Sequence, residues 1–115
     1  MKKDVVAGLG EIGLPICKII SRNFPVYGYD TDKKLIPNNP KKFEDYSVRF
    51  LHICIPYNKF FLPNVLKLNK RFLSESIVIH STIKPKTTQN LQKKLSIPII
   101  YSATRGVHKR MASDL

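Results

Sequence analysis

The chain lacks any apolar run of the roughly 18–20 residues that a membrane-spanning helix needs, and it has no internal repeat or low-complexity tract. Its 115 residues suit a single domain, 1–115, and a hydrophobic content of 43% excludes wholesale disorder. Cysteine is scarce. Cys17 and Cys54 each sit among aliphatic residues, with no CxxC and no Cys/His cluster at metal spacing, so both read as small buried hydrophobes. The opening Met1–Ala7 is too short in its apolar part for a secretory signal and runs directly into glycines, so the expected compartment is cytoplasmic. Acidic residues are few as well, 8 against 20 basic ones, for a net charge of +12. Such an excess draws polyanions. The lysines, however, are scattered in pairs at 2–3, 33–34, 41–42 and 93–94, with no block and no helical stripe. A generally basic surface is the expectation. Nucleic acid ranks last among partners, because aromatics are not interleaved with the lysines for base stacking.

What the chain has is alternation. Asp4–Ala7 is a short apolar run ending at glycines, read as a buried strand. From Glu11 to about Asn23 the apolar residues recur at three-and-four spacing, which predicts an amphipathic helix with Pro15 in its first turn. Phe24–Tyr29 reads as a second strand ending at Asp30. Residues 31–47 carry Pro37, Asn38, Asn39 and Pro40 and read as a loop. Then follow a strand at Val48–Ile55, a helix at 59–73 offering Phe60, Phe61, Val65, Leu66, Leu68 and Phe72 to a core, and a strand at Ser76–His80. A short helix at Thr87–Leu95 and a strand at Ile97–Tyr101 complete the pattern. The tail 102–115 has none. The order β-α-β-loop-β-α-β-α-β predicts an α/β fold, a doubly wound parallel sheet of Rossmann type with its third-strand region reduced to a loop.

Gly8-Leu9-Gly10-Glu11-Ile12-Gly13 is a GxGxxG placed between the first strand and the first helix. The three glycines serve different ends. Gly8 permits the tight turn, Gly10 lets the backbone approach a pyrophosphate, and Gly13 allows close packing of helix on strand. The helix start would present N–H groups and a positive dipole end to the phosphates. Asp30, 20 residues after Gly10, ends the second strand, where a carboxylate accepts hydrogen bonds from an adenosine ribose. It repels a 2′-phosphate, so the expected cofactor is NAD rather than NADP, although Lys33 and Lys34 stand close enough in sequence to pair with such a phosphate. The alternatives are S-adenosylmethionine, or a purely structural turn with an incidental Asp.

Four segments together resemble the N-terminal domain of the UDP-glucose and GDP-mannose dehydrogenases. Gly8–Pro15 is similar to their GLGYVGLP opening. Tyr29-Asp30-Thr31-Asp32 resembles their acidic strand end, Ile53–Pro56 their cVPTP, and Ile77–Thr88 their vviEST-v-PGTT. The resemblance covers residues 4–88. It implies two NAD-dependent hydride transfers on a nucleotide-sugar alcohol, with the catalytic cysteine of that family beyond the length of this chain. It also implies Thr82 near the nicotinamide, and Ile55, Pro56 and Tyr57 along the ribose and adenine side. The sequence departs from the family at His80 (usually Glu), at Lys86 (the Gly of PGTT) and at Tyr57 (Thr). The family's basic ribose contact falls at Leu35, with Lys34 one earlier, and the Glu of its "sPE" loop is missing from Ser102–Lys109.

The cofactor-binding set expected is therefore Gly8, Gly10, Glu11, Ile12, Gly13, Asp30, Lys34, Ile55, Pro56, Tyr57 and Thr82, with no catalytic or metal-ligating residue. The function expected is an NAD-binding domain of oxidoreductase type that does not complete the chemistry alone, with a nucleotide sugar, a protein partner or a second copy as companions and no membrane. The alternatives are a non-catalytic nucleotide- or nucleotide-sugar-binding module and, third, a basic nucleic-acid-associated domain. His52 reads as a packed strand residue. His80 stands at the ligand-binding end of a strand, either as a satisfied polar group or as an acid–base group. His108, Arg105, Lys109 and Arg110 form a basic cluster that would suit a phosphate or a further helix.

Overall fold

A computed structural model describes residues 1–102. The order is β1 (Lys2–Ala7), α1 (Gly13–Ser21), β2 (Val26–Tyr29), β3 (Ser47–Ile53), α2 (Phe61–Phe72), β4 (Ser76–Ile79), α3 (Thr87–Lys94) and β5 (Ile99–Tyr101). The tail cluster and the counterpart of the "sPE" loop beyond Ser102 lie outside the described residues. The five strands form one wholly parallel sheet in the order β2-β1-β3-β4-β5. A Rossmann sheet stripped of its third strand collapses to this order.

Both faces of the sheet are covered, which is why its strands read as continuous apolar runs. On one face Val5, Ala7, Leu51, Ile53, Ile77 and Ile79 pack against Phe61 and Val65 of α2 and Leu91 of α3. On the other, Val6, Leu9 and Val26 pack against Ile16 and Cys17 of α1. Phe60 is not a core residue, contrary to expectation. It precedes the first turn of α2 and is 56% exposed, while Phe61 beside it is buried.

The crossover between β2 and β3 contains only two 3-10 turns, Lys33–Leu35 and Lys41–Phe43, and so is too short for a helix and a further strand. It substitutes single side chains for them. Asn39 pairs its amide with the outer edge of β2: its Oδ1 accepts from Gly28 N–H and its Nδ2 donates to Gly28 O, both at 3.0 Å. These are the backbone groups that an absent strand would have bonded, and an open strand edge is a liability. Lys3, buried in β1, donates its Nζ to the carbonyls of Phe43 (2.7 Å) and Glu44 (3.3 Å), anchoring the far end of the crossover.

β1 ends in the glycine turn. Gly8 has φ +93°, and a Cβ there would stand 2.7 Å from Cys54 O. A Cβ at Gly13 would stand 1.6 Å from Gly8 O and 3.1 Å from Cys54 Cβ. At Gly10 it would meet nothing within 4 Å.

These contacts set the expected cost of two kinds of substitution, both read by chemical denaturation. Gly13→Ala is expected to destabilise the fold by about 3 kcal/mol or more, whereas Gly10→Ala changes stability by no more than about 0.5 kcal/mol. Asn39→Ala removes two hydrogen bonds from an open edge and is expected to cost about 1–2 kcal/mol.

Candidate functional site

The sheet order reverses at β1, because α1 carries the chain to β2 on one side while β3 lies on the other. Ligands of doubly wound sheets bind in the crevice at the carboxyl ends of strands at such a reversal. A cleft of about 680 Å³ opens there, between the glycine turn after β1 and the Cys54–Tyr57 segment after β3. Nine of the eleven expected residues line it: Gly8, Gly10, Glu11, Ile12, Asp30, Ile55, Pro56, Tyr57 and Thr82. A smaller, more apolar recess of about 260 Å³ continues from it past Tyr29 and Asp30 to Asn64, Lys67 and Leu68 of α2.

The two other expected residues do not line the cleft. Gly13 is buried beneath the turn, where its close approach to Gly8 lets α1 seat against the sheet. Lys34 is exposed in the turn Lys33–Leu35, and Leu35 takes the place on the wall instead. The Asp32 carboxylate caps that turn by accepting from Lys34 N–H at 3.1 Å.

The Asp30 carboxylate braces the site from within. Its Oδ2 accepts from Leu9 N–H and its Oδ1 from Asp32 N–H, each at 2.8 Å. A carboxylate offers about four lone-pair sites, so both oxygens keep capacity for a ligand hydroxyl. Asp30 thus ties the glycine turn to the β2 exit and still faces the cleft. At the start of α1, Ile12 provides no side-chain cap, whereas Asp32 does so for its own turn. At the other end of the cleft, the Tyr57 hydroxyl lies 3.2 Å from Thr87 Oγ1, and its ring rests against Phe61. Ser81, also on the wall, donates its hydroxyl to Ile55 O and so joins the loops after β3 and β4.

Burial disfavours the thiolate at both cysteines. Burial, and secondarily the neighbouring Cys17, push the Cys54 thiol up to about 12; burial also raises Cys17. A thiol needs to ionise to react, and burial works against that at both positions.

Sequence reasoning missed a buried polar chain beneath the cleft. β1 and β3 shift register between Lys3 and Val5, and two residues, Arg49 and Phe50, oppose Asp4. Arg49 reaches Asp4 with Nε to Oδ1 and Nη2 to Oδ2, both 3.0 Å, and its guanidinium lies 3.8 Å over Phe24. His52 Nε2 lies 3.2 Å from Asp4 Oδ2, and His52 Nδ1 lies 2.9 Å from His80 Nε2, with the two rings stacked. Burial alone would raise the Asp4 carboxyl, but hydrogen bonds from His52 and Arg49 outweigh it and hold Asp4 below the ordinary carboxylate value. A signal for this chain does exist in the sequence. A charged residue inside an apolar strand requires a partner, and Asp4 is such a residue.

His80 is buried one residue before the cleft-lining Ser81 and does not itself line the cleft. Burial, and secondarily His52, lower its pKa from 6.5 to about 4. The unfolded chain therefore binds a proton between these values that the folded chain refuses, so stability is full above pH 6.5 and declines as pH falls toward 4. The loss is expected to reach about 2–3 kcal/mol, from 1.36 kcal/mol per pKa unit. Below that window, the depressed Asp4 adds a further loss. Melting temperature followed against pH checks this: His80→Gln should flatten the decline between pH 6.5 and 4, and an unchanged slope would assign it elsewhere.

Among the described residues no cluster of His, Cys, Asp and Glu suits a metal ion, and no helix is long and apolar enough to cross a membrane. No family model matches the chain. The chain is similar to the pyrrolysine synthase of Methanosarcina acetivorans, with 39% identity in an alignment that takes in 36% of this chain and 22% of that protein. The match thus spans about a fifth of the relative's length.

Proposed function

We propose that this chain is an NAD-binding domain of oxidoreductase type. The observation that carries the reading is the contrast among three glycines. The protein's own packing accounts for Gly8 and Gly13, because a Cβ at either would strike backbone. It does not account for Gly10, which borders empty space in the cleft. A residue without a side chain facing open space suits a ligand whose atoms approach the backbone, as a pyrophosphate does.

The rest of the cleft fits the same ligand. The turn and the start of α1 would hold the pyrophosphate, and Asp30 would accept from the adenosine ribose. The apolar recess at Asn64, Lys67 and Leu68 would take the base, and Tyr57, Ser81 and Thr82 would lie along the nicotinamide half. When bound, NAD supplies a hydride acceptor. The chain's residues would bind and orient it, with both thiols raised in pKa by burial.

The four segments resembling nucleotide-sugar dehydrogenases favour a nucleotide sugar as the companion substrate. The partial similarity to a pyrrolysine synthase favours a second reading, an amino-acid derivative in its place.

Calorimetric titration with NADH tests the proposal. Binding below millimolar is expected, and none at millimolar would refute it. Gly10→Val should weaken binding at least tenfold with the fold intact. Asp30→Ala should lose about tenfold or more toward NADH, as expected for a hydrogen bond to a charged group, and less toward NADPH. Titrating a UDP-sugar or lysine into the NADH complex separates the two substrate readings.

A further inference from the structure

Charge is unevenly divided along the chain, and the fold sharpens the division. Residues 1–46 hold eight basic and six acidic side chains, whereas residues 47–102 hold nine basic ones and a single acid, Glu75. Glu75 is bonded to Lys2 at 2.8 Å. α2 presents an exposed Lys70 in its last turn, while Lys67 belongs to the recess of the cofactor cleft and Arg71 turns back over the Tyr29 ring. α3 ends on Lys93 and Lys94, and the loop leading into it carries Lys84 and Lys86, again all exposed. Among the described residues none of these cations is in an ion pair.

The two helices lie on the same sheet face, anchored by Phe61, Val65 and Leu91, and their first turns meet at a small recess lined by Phe61, Leu62, Thr87 and Asn90. Lys70, Lys84, Lys86, Lys93 and Lys94, scattered through the sequence, therefore belong to one layer whose two helices contain no carboxylate. Cations in the last turn of a helix favour the helix itself, which accounts for Lys70, Arg71, Lys93 and Lys94 individually. It does not account for the absence of acids from the whole layer.

We propose that the outer layer formed by α2 and α3 binds the phosphate backbone of a duplex nucleic acid, without sequence preference, on a surface separate from the cofactor cleft. The buried side chains of α2, Phe61 and Val65, face the sheet, and its exposed apolar neighbours, Phe60 and Leu73, sit at its two ends. The outer face has charge but no continuous apolar strip to bury among acyl chains, which favours a lattice of phosphates over a membrane surface.

Fluorescence anisotropy with a labelled duplex of about 20 base pairs tests this, because each neutralised phosphate contributes a slope of about −0.9 in log K against log salt. The full chain is expected to bind at low salt with a steep negative slope, equally for two unrelated sequences. Lys70→Glu/Lys93→Glu/Lys94→Glu should weaken binding at least tenfold and flatten the slope by about 3. Lys33→Glu/Lys41→Glu/Lys42→Glu changes net charge identically on the crossover and should weaken it less than threefold. Absence of binding at low salt, equal losses in the two triple variants, or a marked sequence preference would each overturn the proposal. So would co-sedimentation with phosphatidylserine vesicles at a salt concentration where the duplex is released.

Discussion

The fold turns on one crowded point. β1, α1 and the segment after β3 converge so closely at Gly8, Gly13 and Cys54 that a single added carbon at either glycine would overlap backbone. Such contact fixes where α1 starts relative to the sheet. It thereby fixes the direction in which the first turn of α1 points, toward the opening between β1 and β3. Asp30 completes the fixation by holding Leu9 N–H from the neighbouring strand end. The cleft is therefore a by-product of close packing, and Gly10 is the one glycine of the turn that the packing leaves unexplained.

The shortened crossover shows how a doubly wound sheet survives the loss of a strand. The lost strand would have satisfied the edge of β2, and one asparagine amide now does so at Gly28. The lost helix would have closed the end of the layer, and there the buried ammonium of Lys3 holds two carbonyls instead. Burial lowers the Lys3 pKa, opposed by Glu44 and Asp45, so the anchor sits in a partly compensated environment. Two polar side chains with their hydrogen bonds met are enough because only one strand edge and one turn needed partners.

The architecture and most of the cleft were legible in the sequence for the same reason. Parallel strands covered on both faces must be apolar throughout, and strand ends at a sheet reversal must carry the turn residues. Ile53, Cys54 and Ile55 announce a strand and its exit whatever lies around them. Leu35 lines the wall and Lys34 does not, because a 3-10 turn rotates each residue by a third of a circle, so a shift of one residue trades one side chain for the other. Asn64 and Lys67 went unnoticed because three-residue spacing on a helix speaks of a shared face without naming the neighbour. The Arg49–Asp4–His52–His80 chain was hidden by its register, since nothing in a one-dimensional pattern announces that β3 gains a residue opposite Asp4.

Acids are distributed with the same economy. Glu11, Asp30 and Asp32 all cluster near the glycine turn and the β2 exit, and Glu44 and Asp45 lie at the end of the crossover. A ribose needs a carboxylate to receive its hydroxyls, and a phosphate lattice needs the absence of one. Six of the seven acids among the described residues precede β3, whereas α2 and α3 carry none. The net charge of +12 is therefore better understood as a division than as an excess.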